Sequence, residues 1–287
     1  MNPLLIVGHG TKDDDGVAQF LELVERVRKE ADRPVEGGFL ELSAPPIQEA
    51  VSKLAGAGAI DVVPLVLVAA GHSKGDIPAA LERERLRHPG LALRYGRPLG
   101  PHPLLLEDLT QRLADAVPAD QWPDTAVVLV GRGATDPDAN AEVAKTARLL
   151  LEGRGIGTVE TAFISLAEPS VPSGLDRAAK LGYDTIVVLP YFLFEGVLPE
   201  RIRTQTAAWA ANHADRSVRV ADLIGPSANL AALVAQRADE LHAGDIRMNC
   251  DTCMYRTLMP GFEGKVGLPQ TPHDHPDDPT HDHHHHH

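Results

Sequence analysis

The sequence is short of aromatic residues, of positive charge and of cysteine, and each shortage narrows what the chain can be. Phe, Trp and Tyr supply only 4% of the 287 residues. A core must therefore rest on Leu, Val, Ile and Ala, the side chains typical of parallel strands buried on both faces. Lys and Arg number 27 against 40 Asp and Glu, a formal net charge of -13. Nucleic acid and anionic membranes are gripped through Lys and Arg, so neither is expected as a partner. No stretch approaches the roughly 18 apolar residues of a membrane span. The opening segment has no basic region and its apolar run stops at Gly8, which does not fit a secretory leader. A cytoplasmic location is the expectation. The two cysteines, Cys250 and Cys253, lie close together near the end. In a reducing compartment such a pair points to metal or redox chemistry more than to a structural disulfide.

What remains is an ordinary globular mix, 43% hydrophobic and 23% charged, long enough for one large domain or two of usual size. Apolar runs alternate with helical spacing. Leu4–Val7 reads as a strand ending in Gly8-His9-Gly10. Val17, Phe20, Leu21, Val24 and Val27 recur at i, i+3, i+4, i+7 and predict a helix. Val35–Leu42 predicts a second strand, and Pro45-Pro46 opens a helix closed by Gly56 and Gly58. Ile60–Val68 predicts a third strand, ending in Gly71-His72-Ser73. A helix over Pro78–Leu86, a strand over Leu91–Tyr95 and a helix over Pro103–Val117 complete the unit. Such alternation implies α/β architecture with a mostly parallel sheet.

The pattern then repeats at an offset of about 124 residues. Ala126–Val130 ends in Gly131-Arg132-Gly133. "FISLAEPSV" follows as the counterpart of "FLELSAPPI", and Pro169 stands for Pro45. Thr185–Leu193 matches the third strand, with Gly196 for Gly71. Val218–Leu223 and Asn229–Leu241 predict the last strand and helix. The expected organisation is two similar α/β domains from an internal duplication, residues 1–118 and 124–245, then an extension over 246–287.

Ligands of parallel α/β sheets bind beyond the carboxyl ends of strands. His9 follows the first strand, His72 the third, and Glu41 ends the second. Two imidazoles and a carboxylate suit a divalent first-row metal with open positions. Gly-His-Gly also suits a tight turn that turns backbone N–H groups to an anion. The second copy replaces His9 by Arg132, Glu41 by Ser165 and His72 by Val197, while the surrounding glycines and prolines remain. One copy keeping the chemistry while the other shapes the opposite wall would leave this pattern.

At this point the sequence resembles a known family. "LLIVGHGTKDDDGVAQF", "GFLELSAPPIQEAV" and "VVPLVLVAAGHSKGDIPAAL" are similar to the CbiX-type sirohydrochlorin chelatases, over about residues 3–245. The resemblance implies two flavodoxin-like halves facing a cleft that takes a tetrapyrrole. It implies His9 and His72 as metal-binding histidines, assisted by Glu41. The implied activity is insertion of Co²⁺ into sirohydrochlorin for cobalamin synthesis; relatives inserting Fe²⁺ serve sirohaem synthesis. A metal storage or delivery protein without catalysis is the rival from another class. Insertion removes two pyrrole N–H protons, and neutral histidine can accept a proton or hold the ion, but not both at once. The substrate is a polycarboxylate, so Arg132 and Lys74 are candidate partners for it, with Ser43 and Ser73 beside them. Ala44 could offer a backbone donor. Lys12 and Arg201 are weaker candidates, more simply read as solvated charges. The chain is expected as a monomer or homodimer.

Met248, Cys250 and Cys253 match a Met-x-Cys-x-x-Cys motif associated, in some long members, with an iron–sulfur cluster. Two thiolates are half of a tetrahedral site, so a cluster would need further ligands. The final segment interleaves His273, His275, His281 and His283–His287 with acidic residues. This arrangement favours a native metal-gathering tail over an appended tag.

Overall fold

The computed structural model describes residues 1–244 and 263–267, with His72 described by its backbone alone. Eight strands form two four-stranded parallel sheets. The first has the order β2-β1-β3-β4, from β1 (Leu4–Gly8), β2 (Val35–Phe39), β3 (Ala59–Pro64) and β4 (Ala92–Tyr95). The second repeats it as β6-β5-β7-β8, from β5 (Thr125–Gly131), β6 (Thr158–Phe163), β7 (Thr185–Pro190) and β8 (Ser217–Val220). Among the described residues, α1 (Asp14–Glu30), α2 (Ile47–Leu54), α3 (Ile77–Arg87), α4 (Pro103–Ala116), α5 (Pro137–Leu151), α6 (Val171–Lys180) and α7 (Val197–Ala211) connect successive strands, and α8 (Ala228–Ala243) follows the last.

Local rules account for the helix starts nearest the site. Asp13 caps α1, its side chain accepting from the Gly16 N–H at 2.9 Å, and Asp136 caps α5 in the second copy. Of the stripe that the spacing predicts on α1, Phe20, Val24 and Val27 are buried and Val17 is half-buried, whereas Leu21 is exposed and Leu23 takes the buried place.

Alternation along the strands sorts the core into layers. Leu5 and Val7 of β1 face outward, onto α2 and α3. Leu4 and Ile6 face inward, into a middle layer holding α1, α4, α5 and α8. In the second sheet Ala126, Val128 and Val130 meet α6 and α7, while Val127 and Leu129 join the middle layer. The last helix of each half crosses over. α4 packs on α5 and β7, and α8 packs on α1 and β3. The two sheets stand where two domains were expected, yet the halves bury one shared core running from Leu4 to Leu241. An ion cluster seals this junction. Arg97 of the first half grips Glu240 of α8 with two bonds of 2.7 Å, and Arg237 adds a third at 2.7 Å. Burial alone would raise the Glu240 carboxyl, but these cations outweigh it and hold the group below its ordinary range.

The main difference from the expected elements lies at the carboxyl ends of strands. The second, third and seventh strands end at Phe39, Pro64 and Pro190, short of the predicted Leu42, Val68 and Leu193. Their apolar runs continue because the following residues serve a different surface. Val66, Leu67 and Val68, and Tyr191 to Phe194, line a cavity between the halves. The helices α6 and α7 were not read from the sequence as separate elements.

Candidate active site in the cleft between the halves

The cavity has a volume of about 480 Å³ and opens at the carboxyl ends of both sheets. Most of its wall is apolar. Phe20 and Phe39, whose ring centroids are 4.2 Å apart, form one part, with Phe194 edge-on to Phe20. Leu42 and Val197, both largely solvent-exposed, stand at the wall as well. Exposed apolar side chains beside a concave site suit a flat, largely apolar ligand.

The β1–β2 end of the cleft is built from backbone pairing that outlasts the strands. Leu40 N donates to Gly8 O at 2.9 Å and Glu41 N to His9 O at 3.0 Å. Ser43 N then donates to Glu41 O at 2.8 Å across Leu42, whose φ is 63°. A leucine in that region is uncommon and costs conformational energy. The turn leaves His9 and Glu41 side by side, His9 Nε2 lying 3.3 Å from Glu41 Oε1. Both side chains are partly exposed, and His9 lines the cavity. A proton taken by His9 would be stabilised by that carboxylate. Gly10, at φ 105°, passes so close to the Glu41 carbonyl that a Cβ would collide with it.

The second copy repeats this frame without its ligands. Ile164 N donates to Gly131 O and Ser165 N to Arg132 O, each at 3.0 Å. Leu166 takes φ 58°, and Gly133 meets the Ser165 carbonyl as Gly10 meets that of Glu41. Cis peptide bonds precede both Pro45 and Pro169. Arg132 thus occupies the His9 position on the opposite wall. Its side chain is solvent-exposed but surrounded by the cleft, and that crowding lowers the guanidinium pKa while the Glu41 charge opposes the shift.

The remaining expected residues divide. His72 begins a single π-turn, His72–Asp76, that leads from the β3 loop into α3. Such turns occur often at functional sites. Lys74 departs from the expectation that it faces substrate, while Ser73 lines the cavity but spends its hydroxyl on its own loop. Ser73 is buried and ties its own loop, its Oγ 3.0 Å from Ala70 O and 3.1 Å from Ala70 N. Lys74 Nζ pairs with Asp136 at 2.6 Å and Asp138 at 3.3 Å, so its charge serves the junction between halves. Ser43 likewise holds the Gly10-Thr11 turn, donating to Thr11 O at 2.6 Å and accepting from Thr11 N at 2.9 Å. Lys12 is exposed at the cavity wall. Arg201 is exposed on α7 and Ala44 on the loop before α2. Cys250, Cys253 and the histidine-rich tail lie outside the described residues. The sequence reading missed the aromatic wall and the acids that pair with Lys74. The apolar runs overshooting their strands were the available signal for the first.

Comparison with known proteins agrees with this architecture. The CbiX family model matches residues 3–116 and again 126–241. A sirohydrochlorin cobaltochelatase of Priestia megaterium is 38% identical over 262 residues, covering 89% of this chain and 85% of its own. A sirohydrochlorin ferrochelatase of the same organism is 34% identical over 208 residues, 71% of this chain and 78% of its own. Among solved structures, SirB from Bacillus subtilis with Fe³⁺ superimposes with a TM-score of 0.73 at 30% identity, covering 85% of this chain and 97% of that one. The SirB of subspecies spizizenii in complex with cobalt gives 0.73 at 28%, with the same coverage. No described helix is long and apolar enough to cross a membrane. The chain belongs to the CbiX family, whose domain it carries twice.

Proposed function

We propose that this chain is a sirohydrochlorin cobaltochelatase, a lyase-type enzyme that exchanges two pyrrole N–H protons for one Co²⁺. The observation that carries the reading is the placement of His9, 3.3 Å from Glu41, at one wall of an apolar cavity whose opposite wall presents Arg132. The apolar surfaces receive the faces of the macrocycle. Arg132 and Lys12 answer its carboxylates, the guanidinium with a planar fork suited to that geometry. His9 and His72 hold the incoming ion through neutral imidazole nitrogens. The displaced protons pass to Glu41, or to His9 once the ion has left it, and on to solvent through the open cleft. An imidazole near neutral pH can accept a proton, and the adjacent carboxylate favours the charged product.

Insertion of Fe²⁺ is the second reading, favoured by the ferrochelatase relatives and by the Fe³⁺ in one SirB structure. The metal is decided by an anaerobic absorbance assay with sirohydrochlorin and Co²⁺, Fe²⁺ or Ni²⁺ in turn. Spectral conversion faster than the uncatalysed reaction, fastest with Co²⁺, supports the proposal. Fastest conversion with Fe²⁺ moves the chain to sirohaem synthesis. No acceleration by any metal leaves a metal-delivery protein.

A further inference from the structure

Lys74 lies two residues beyond His72 in the same π-turn. The segment around it is pinned from two sides. Within the first half, Lys74 N donates to Ala70 O at 2.9 Å, and the Tyr95 hydroxyl donates to Ser73 O at 2.8 Å. Burial raises the Tyr95 pKa, so its phenol stays a donor. The other side of the anchor is in the second half. Lys74 Nζ, Asp136 and Asp138 are 8%, 4% and 2% exposed, so the ion cluster is closed to solvent.

Its acids sit where negative charge is favoured. Asp136 caps α5, its side chain accepting from Asp138 N at 3.1 Å, and both carboxylates meet the positive end of the helix dipole. α5 also starts just after Arg132 on the far wall of the cleft. The same junction thus links the His72 turn to the wall that carries Arg132.

The duplication shows that this tie runs one way. Asp13 of the first half matches Asp136, since each caps the corresponding helix. Pro199, two residues past Val197, stands where Lys74 stands. In that direction the halves meet through backbone instead. Glu195 N donates to Gln19 Oε1 at 2.8 Å, and the Glu195 carbonyl lies where a Cβ on Gly16 would collide with it. Among the described residues, the second copy has no counterpart of the Lys74–Asp136 pair at Pro199.

We propose that Lys74 is a positioning residue for the metal: through Asp136 and Asp138, the half without metal ligands holds the His72 turn in place. This rests on the chelatase reading, because it takes His72 as a ligand. A buried cation that loses its partners, or the reverse, is strongly unfavourable, so the anchor has few alternative positions. Groups that orient metal ligands typically contribute on the order of 10–100-fold in metal affinity.

The test uses the full chain and Co²⁺ alone as probe, followed by its visible absorption, with wild type, His9→Ala, Lys74→Met and Lys74→Arg compared. The difference between wild type and His9→Ala isolates the cleft from the histidine-rich tail. Lys74→Met should weaken the His9-dependent Co²⁺ binding by on the order of 10–100-fold. The Co²⁺ concentration for half-maximal insertion should rise in step, while the KM for sirohydrochlorin stays unchanged. Lys74→Arg, which restores the cation, should recover most of the affinity. Should Lys74→Met not fold, the double variant Lys74→Met/Asp138→Asn removes a cation and an anion together and takes its place. A folded Lys74→Met or Lys74→Met/Asp138→Asn protein that binds Co²⁺ as wild type does would overturn the inference. Wild-type Co²⁺ binding in His9→Ala would instead overturn the site reading beneath it.

Discussion

The two halves share a backbone and differ in what it carries. Both bend after the second strand through a leucine at positive φ, both place a glycine against the carbonyl of that bend, and both continue the pairing past the ends of their first two strands. On this common frame the first half sets His9, Glu41 and His72, and the second sets Arg132, Ser165 and Val197. The strained turn therefore does not belong to metal binding as such. It recurs in both halves, whatever side chains it carries. The comparison separates a scaffold, which needs the conformation, from a site, which needs the chemistry.

The sharpest way to break that division is His9→Ala. Losing the proton acceptor and metal ligand should cut insertion by about 10²–10⁴-fold. Unfolding should be little changed, because His9 is partly exposed at a loop. Rates and thermal melts on one sample check both halves of the expectation. The matched pair Gly10→Ala and Gly133→Ala tests the scaffold directly. Each forces a Cβ against a carbonyl at positive φ, so each should lose about 1–3 kcal/mol of stability. Only Gly10→Ala should also lose activity at a temperature where both are folded, since the carbonyl it displaces belongs to Glu41. Equal loss of activity would place chemistry in both halves. Arg132→Ala should raise the KM for sirohydrochlorin about tenfold, the scale of one charge-assisted contact, without altering the Co²⁺ requirement. A shift in the Co²⁺ requirement would move Arg132 to the metal side of the division.

The smallest effect concerns the junction the halves share. His102 caps α4, its Nδ1 accepting from Leu104 N at 3.2 Å, which requires that nitrogen unprotonated. Burial, with Arg237 and Arg97 next, lowers its pKa from the ordinary 6.5. The folded chain then binds fewer protons there than the unfolded chain. This contribution is present above the ordinary histidine pKa and is lost as pH falls through that value toward the depressed one. Comparing melting temperatures at about pH 7.5 and about pH 5.5, the loss should be smaller in His102→Asn, which keeps a cap but has no proton to gain. Identical pH dependence in the two proteins would remove His102 from the account.

Much of this was legible in the residues because it is local. Strand ends carry His9 and Glu41, and a duplicated text shows which positions changed between copies. The Gly10 and Gly133 positions read the same way. Lys74 was misread for the opposite reason. A lysine beside a predicted metal ligand looks like a group for an anionic substrate. Nothing within its own segment shows that Asp136, 62 residues later, takes the charge. The backbone bonds of the two serines were illegible for a similar reason: a hydroxyl in a loop suits a ligand and a backbone carbonyl equally well, and only distance decides.

The sequence by itself determined the alternation of strands and helices, the duplication, and the places of His9 and Glu41 just past strand ends, because periodicity and turn chemistry act over a few neighbouring residues. Only the tertiary structure decided that the last helices cross between halves, that apolar runs end as cleft wall rather than strand, and that Lys74 binds across the junction. Those outcomes depend on which surfaces meet after the chain has folded, and no spacing along the chain encodes such a meeting.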